Sequence, residues 1–161
     1  MERWSGKVAV VTGASAGIGA AIVEKLVKSG LQVAGFARRA ELVEDQVKNL
    51  SNIAGHQVTH HDPPAANVYP ASKHAVTALT ESLRQEMVYL KNKIKVTSIS
   101  PGLTYTDMFH IGNSERFHKD NMAKMPYLLP EDVADAVMYV LGTPPHVQIH
   151  ELTIKPVGEE V

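Results

Sequence analysis

Apolar and polar positions along this chain alternate with two different periods. Residues 8–11 form a continuous apolar run of Val8, Ala9, Val10 and Val11, bounded by Lys7 and by Thr12-Gly13. A short β-branched run of this kind predicts a strand buried on both faces, the pattern of a parallel sheet. Residues 18–29 switch to helical spacing, with Ile18, Ile22, Leu26 and Val27 as the apolar positions and Gly30 as the stop. A second strand is expected over 31–37 and a second helix over 40–50, where Leu42, Val43, Val47 and Leu50 share one side. The first fifty residues therefore read as a βαβ unit with an extra helix. Residues 52–67 break the rhythm and read as a loop. From 70 to about 89 the helical signal is strong, with Ala71, Ala75, Leu79, Leu83 and Met87 at intervals of four. A third strand is predicted over 94–100, ended by Pro101-Gly102, followed by a Met-rich stretch over 103–129 that reads as a loop with short helices. Pro130-Glu131-Asp132 opens another helix through about 141, with Val133, Ala134, Val137 and Val140 as its apolar positions. Thr143-Pro144-Pro145 is a turn, and 147–154 is the last strand.

Composition narrows the function classes. At 161 residues the chain suffices for one domain with a core, and a single domain over 1–161 is expected. The 44% apolar and 20% charged shares are those of a globular protein, and a net charge of -1 gives no footprint for nucleic acid or an anionic membrane. No apolar run reaches the roughly 18 residues of a membrane span. The first residues lack the charged, apolar and small-residue order of a signal peptide, so the expected location is cytoplasmic. The absence of cysteine removes disulfides and thiol catalysis.

Two clusters carry chemistry. Thr12-Gly13-Ala14-Ser15-Ala16-Gly17-Ile18-Gly19 lies between the first strand and the first helix. Glycines there allow a tight turn (Gly13), close approach of a pyrophosphate to the backbone (Gly17) and close helix–strand packing (Gly19). The phosphates would meet unpaired N–H groups at the positive end of the helix. Arg38 and Arg39 stand at the end of the second strand. A carboxylate there would accept the ribose hydroxyls of NAD, whereas arginine pairs with the 2′-phosphate of NADP, so NADP(H) is favoured over NAD(H). In Tyr69-Pro70-Ala71-Ser72-Lys73, spacing of four places Lys73 beside the Tyr69 phenol. A neighbouring ammonium is expected to lower the phenol pKa and make it usable as an acid or base.

These motifs resemble those of the classical short-chain dehydrogenases/reductases. Thr12 to Gly19 is similar to that family's Thr-Gly-x-x-x-Gly-Ile-Gly signature, 69–81 resembles its catalytic helix, 99–106 its nicotinamide-side loop, and 130–134 its late helix. Within the family the likeness is to the cluster that holds the farnesol dehydrogenases. The resemblance implies an α/β fold, a Rossmann-like doubly wound parallel sheet. It implies oxidation of an alcohol or reduction of a ketone or aldehyde with NADP(H), on a lipophilic small molecule such as a steroid or isoprenoid alcohol. It implies Tyr69 as general acid/base and Lys73 as ribose ligand. Gly13, Ser15, Gly17, Ile18 and Gly19 would serve as the phosphate loop. Gly102, Leu103, Thr104 and Thr106 would face the nicotinamide carboxamide. It also implies a homodimer through the helix over 71–89.

The resemblance covers both ends of the chain and not its middle. The third and fourth strands and the helices between them have no counterpart, roughly 60 residues or more at about 30 per βαβ unit. The expected sheet therefore lacks its central strands. A family order of 3-2-1-4-5-6-7 would be reduced to 2-1 and 6-7, with an open edge on the first strand. The break falls just before Ile53-Ala54-Gly55-His56. Three places before that glycine, where the family holds its catalytic serine, stands Asn52, with Ser51 beside it. Both are candidate substrate-carbonyl ligands. Two functions stay open: an active oxidoreductase, and an inactive truncated form that binds nucleotide weakly or pairs with intact subunits. His56, His60, His61 and Asp62 lack metal-ligand spacing, so no metal is expected. Met108, Phe109, Met122 and Met125 suit an apolar substrate pocket or simple core packing.

Overall fold

A computed structural model describes residues 1–37, 68–106 and 124–159. These group into two compact units, taken in turn. The expected helix over 40–50 and the loop over 52–67 lie outside the described residues.

The first unit holds 1–37, 103–106, 124–142 and 155–159 of the described residues. A 3-10 turn, Glu2–Trp4, precedes strand β1, Val8–Thr12; helix α1 is Gly17–Lys28 and strand β2 is Gln32–Phe36. β1 and β2 pair in parallel, with Val8 opposite Gln32, Val10 opposite Ala34 and Thr12 opposite Phe36. Parallel neighbours need a crossover, and α1 supplies it. α1 ends where the sequence places its stop. The Gly30 N–H donates to the Val27 carbonyl (2.9 Å) and the Leu31 N–H to that of Leu26 (3.1 Å), with Gly30 at φ 83°. That is a Schellman cap, and its apolar partners Leu26 and Leu31 are both buried.

Helix α3, the Pro130–Gly142 segment, packs broadly on α1. Its start is built from the first residues. Pro130 has no N–H to leave unpaired, and the Asp132 carboxylate accepts the Leu129 N–H at 2.7 Å. At its other end the Leu141 carbonyl accepts from Arg3 (2.5 Å) and from the Trp4 indole (2.8 Å), which closes the helix with a cation and a ring N–H. The core of this unit is Ala21, Ile22, Leu26 and Leu31 with Val133, Ala134 and Ala136. Each large aliphatic side chain buried there contributes roughly 1.5–3 kcal/mol.

β1 is not buried on both faces, contrary to the sequence expectation. Val8 is 66% and Val10 65% exposed, and Phe36 on β2 is 60% exposed. α1 covers the face carrying Ala9 and Val11, and alternation turns Val8 and Val10 to the other face. β1 has β2 as its neighbour, and no described strand lies on its second edge. Val27, expected on the core side of α1, is 54% exposed.

The second unit holds 68–102 and 143–154 of the described residues. Helix α2 is Val68–Tyr89, and strands β3 (Ser98–Pro101) and β4 (Glu151–Ile154) pair in parallel, Ser98 opposite Glu151 and Pro101 opposite Ile154. Both strands are shorter than expected. Ahead of β3 the chain is held by side chains instead of a ladder: Gln148 donates to the Val96 carbonyl (2.5 Å), Thr97 to that of Ile149 (2.8 Å), and Lys95 to those of Thr143 and Pro144 (3.2 and 2.7 Å). Pro101 closes β3 from within the strand, not from beyond it. α2 forms as its periodicity predicts, but its apolar stripe does not become a core: Leu79 is 67% and Leu83 46% exposed, and only Pro70 is buried. No described element packs broadly against it. The described strands thus form two separate two-stranded parallel sheets, the 2-1 and 6-7 pairs expected of a sheet without its centre.

Candidate active site

The glycine loop leaves β1 at Thr12 and turns back toward β2. The N–H groups of Gly13 and Ala14 both donate to the Phe36 carbonyl, at 2.5 and 3.2 Å. This pins the loop to the strand end from which the chain runs on to Arg38 and Arg39, themselves outside the described residues. Gly13 and Gly17 adopt φ 76° and 57°. A side chain at either position would cost roughly 1–2 kcal/mol. Ala16 is the N-cap of α1, with no side-chain hydrogen bond to the helix, and the first turn carries no acidic residue. The positive end of α1 is therefore neither capped nor neutralised by its own sequence, which suits an anion.

Opposite this helix end lies the 103–106 segment, held by residue 128. Leu128 donates its N–H to the Leu103 carbonyl and accepts from the Tyr105 N–H, both at 2.8 Å, and Thr104 and Leu128 form a parallel bridge. Thr104 and Thr106 are buried by this arrangement. Gly17, Ala20, Ala21 and Glu24 from α1 then face Tyr105, Thr106, Leu129, Pro130 and Glu131 across a cleft of about 380 Å³. Gly17 and Thr106 were expected from sequence. Tyr105, Glu24 and Glu131 were not, because nothing in their local pattern marks them; the α1–α3 packing brings them there. The Glu24 carboxylate is held by Lys28, which lowers its pKa. Tyr105 stacks on Tyr127 at 5.3 Å and a tilt of 39°.

Tyr69 and Lys73 lie in the first turns of α2 and meet as the spacing predicts. The Lys73 ammonium sits 5.3 Å from the centre of the Tyr69 ring, a cation–π contact. The expected lowering of the phenol pKa is not what this geometry produces. Partial burial pushes the Tyr69 phenol above its ordinary value, although the residue as a whole is 48% exposed. Tyr69 therefore stays protonated through neutral pH, the form that donates a proton. The same turn is stiffened locally: Ser72 donates to the Tyr69 carbonyl (2.7 Å) and His74 Nδ1 lies 2.8 Å from that of Pro70. Gly102, buried at the end of β3, donates its N–H to the Ile154 carbonyl at 2.8 Å. Ser51, Asn52, the histidines of the 52–67 loop and Met108, Phe109 and Met122 lie outside the described residues. Among the described residues there is no cluster of metal-ligating side chains and no helix apolar enough to cross a membrane.

Comparison with known proteins agrees with these motifs. The family described as short chain dehydrogenase matches in two stretches, residues 7–63 and 57–116. A farnesol dehydrogenase of Aedes aegypti is 35% identical over 253 positions, covering 99% of this chain and 100% of the relative. Dehydrogenase/reductase SDR family member 11 of Bos taurus is 29% identical over 254 positions, covering 97% and 98%. Both alignments are longer than the 161-residue chain, so the relatives carry positions with no counterpart here. Among solved structures, the closed form of a serine dehydrogenase complexed with NADP+ superposes with a TM-score of 0.74 at 20% identity, covering 96% of each chain. A short-chain dehydrogenase/reductase from Serratia marcescens gives 0.70 at 20% identity, covering 95% and 98%. These likenesses establish the Rossmann-like α/β fold.

Proposed function

The chain belongs to the short chain dehydrogenase family, whose members bind nicotinamide cofactors, and from that premise we propose that it is an NADP(H)-dependent oxidoreductase of a lipophilic alcohol/carbonyl pair. The observation that carries the reading is the cleft shared by Gly17 and Thr106. Two motifs distant in sequence, one suited to phosphate and one to an amide, line one space. The residues at the mouth of α1 fit the cofactor: an uncapped first turn without acidic residues, two glycines at positive φ and a buried hydroxyl opposite, with the Glu24 carboxylate that also lines the cleft held by Lys28. When bound, the cofactor supplies or accepts the hydride.

In this reading Gly13, Ser15, Gly17, Ile18 and Gly19 hold the pyrophosphate, while Leu103, Thr104 and Thr106, with Gly102, orient the carboxamide. Arg38 and Arg39 select the 2′-phosphate by charge-assisted hydrogen bonds. Tyr69 donates the proton to the nascent alkoxide during carbonyl reduction, which its protonated state favours. Lys73 binds the ribose, and Ser51 or Asn52 positions the substrate oxygen. An isoprenoid alcohol is the proposed substrate class, from the farnesol dehydrogenase likeness. The exposed stripe of Val76, Leu79 and Leu83 on α2 is the proposed homodimer face, in a cytoplasmic enzyme.

A second reading, nucleotide binding without turnover, is favoured by the division of the described strands into two separate pairs. Titration of NADPH fluorescence, followed by turnover on an aldehyde and ketone panel that includes farnesal, separates the two. Submillimolar binding with turnover lost in Tyr69→Phe supports the first. Binding without turnover supports the second. Absence of NADPH binding removes the cofactor assignment.

A further inference from the structure

We propose that Lys25 is a positioning residue that sets the two walls of the cofactor cleft against each other; its effect on affinity rests on the function proposed above. Lys25 stands on α1 one turn beyond Ala21, so it shares a face with the residues that line the cleft. Its ammonium crosses to α3. There it donates to the Glu131 backbone carbonyl at 3.2 Å and pairs with the Asp135 carboxylate. Glu131 is itself a lining residue of the opposite wall. The Lys25 side chain is 26% exposed, whereas that of Lys28, one turn-edge away, is 71% exposed. Lys25 is thus drawn into the helix pair, while Lys28 binds Glu24 on the surface of its own helix.

The contact propagates to the carboxamide side through backbone bonds. The first turn of α3 is tied to Leu129 by Asp132, and Leu128 is zipped to Leu103, Thr104 and Tyr105. Lys25 therefore connects the phosphate-side helix to the segment carrying Thr106. The remaining α1–α3 interface is made largely of small and aliphatic side chains, among them Ala21, Ile22, Val133, Ala134 and Ala136. Such packing is non-directional and holds the helices together without fixing their register. A two-acceptor ammonium contact is directional and does fix it.

The test compares Lys25→Met, which keeps most of the aliphatic stem, with Lys25→Arg, which restores the cation. NADPH affinity is expected to weaken about tenfold in Lys25→Met and to recover most of that in Lys25→Arg, since small misplacements at a positioned ligand have effects of this size or larger. Asp135→Asn should weaken binding only about twofold, because Asp135 is 68% exposed and its pairing is screened. Titrations are run well below the melting temperature of each variant, so a purely structural role would lower that temperature and leave affinity unchanged. Amide NMR of the cofactor-free proteins gives a second measurement. The resonances of Gly17, Gly19 and Thr106 should move in Lys25→Met and return in Lys25→Arg. Equal NADPH affinity in wild type and Lys25→Met overturns the positioning role and leaves the cofactor assignment intact. Absence of binding in the wild type overturns the cofactor assignment, and unmoved amide resonances then overturn the positioning role on their own.

Discussion

Val133→Ala and Val10→Ala make the same chemical change at two sites that the structure separates sharply. Val133, on α3 beside the cleft-lining Pro130 and Glu131, is 0% exposed, whereas Val10 on β1 is 65% exposed. The substitution removes the equivalent of two methylenes, worth about 0.8 kcal/mol each when fully buried. At Val133 a residual cavity adds to this, for a total of roughly 2–3 kcal/mol. At Val10 only about a third of the transfer term applies, roughly 0.5 kcal/mol. In a chain of this length 1 kcal/mol shifts the melting temperature by about 2–4 °C. Val133→Ala is therefore expected to melt about 4–12 °C lower and Val10→Ala within about 2 °C of wild type. Thermal unfolding followed by tryptophan emission reads this directly, because Trp4 is the only tryptophan and its indole is bonded to the end of α3. Equal losses at the two sites would refute the half-bare β1–β2 sheet. A loss at Val10 as large as that expected for Val133 would restore the two-sided burial that the apolar run 8–11 suggested.

The Schellman caps at Gly30 and Lys91 make opposite predictions. Gly30 sits at φ 83° with Ser5 Oγ 3.1 Å from where a Cβ would lie, so Gly30→Ala should cost roughly 1–2 kcal/mol in the same melting assay. Lys91 ends α2 through the same bonds, to Val88 and Met87, but at φ 53° without being glycine, so Lys91→Gly should stabilise by roughly 0.5–1 kcal/mol. Glu81 is held by Arg84 and Gln85 well below the ordinary carboxylate range, at about 2. Its folded pKa is depressed, so its contribution is present above about 4.5 and is lost as pH falls toward about 2. Far-ultraviolet circular dichroism across that window should show an acid loss of helicity in wild type that is absent or smaller in Glu81→Gln. Gly17→Val combines a positive φ with loss of close backbone approach and should abolish NADPH binding while leaving Trp4 emission near wild type.

Local periodicity and turn chemistry determined the elements. The Ile18 to Leu26 spacing, the Gly30 stop and the Pro130-Glu131-Asp132 start each act within one or two turns of chain, and these two helices formed within a few residues of their expected bounds. The turn of the glycine loop and the meeting of Tyr69 with Lys73 were legible for the same reason, since both are set within one or two turns of chain. Burial was not legible. An apolar run states that a strand can be covered, not that a neighbour exists to cover it. Val8, Val10 and the α2 stripe are bare because each lies on a face where no described element packs. The direction of the Tyr69 pKa likewise depended on how far the fold takes its hydroxyl out of water, which spacing does not specify. The cleft itself, with Tyr105 and Glu131 facing Gly17, and the Lys25 contact beneath it, arose only when α3 packed on α1. Contacts between residues remote in the chain are decided by tertiary packing, because nothing in the local pattern at either end encodes the other.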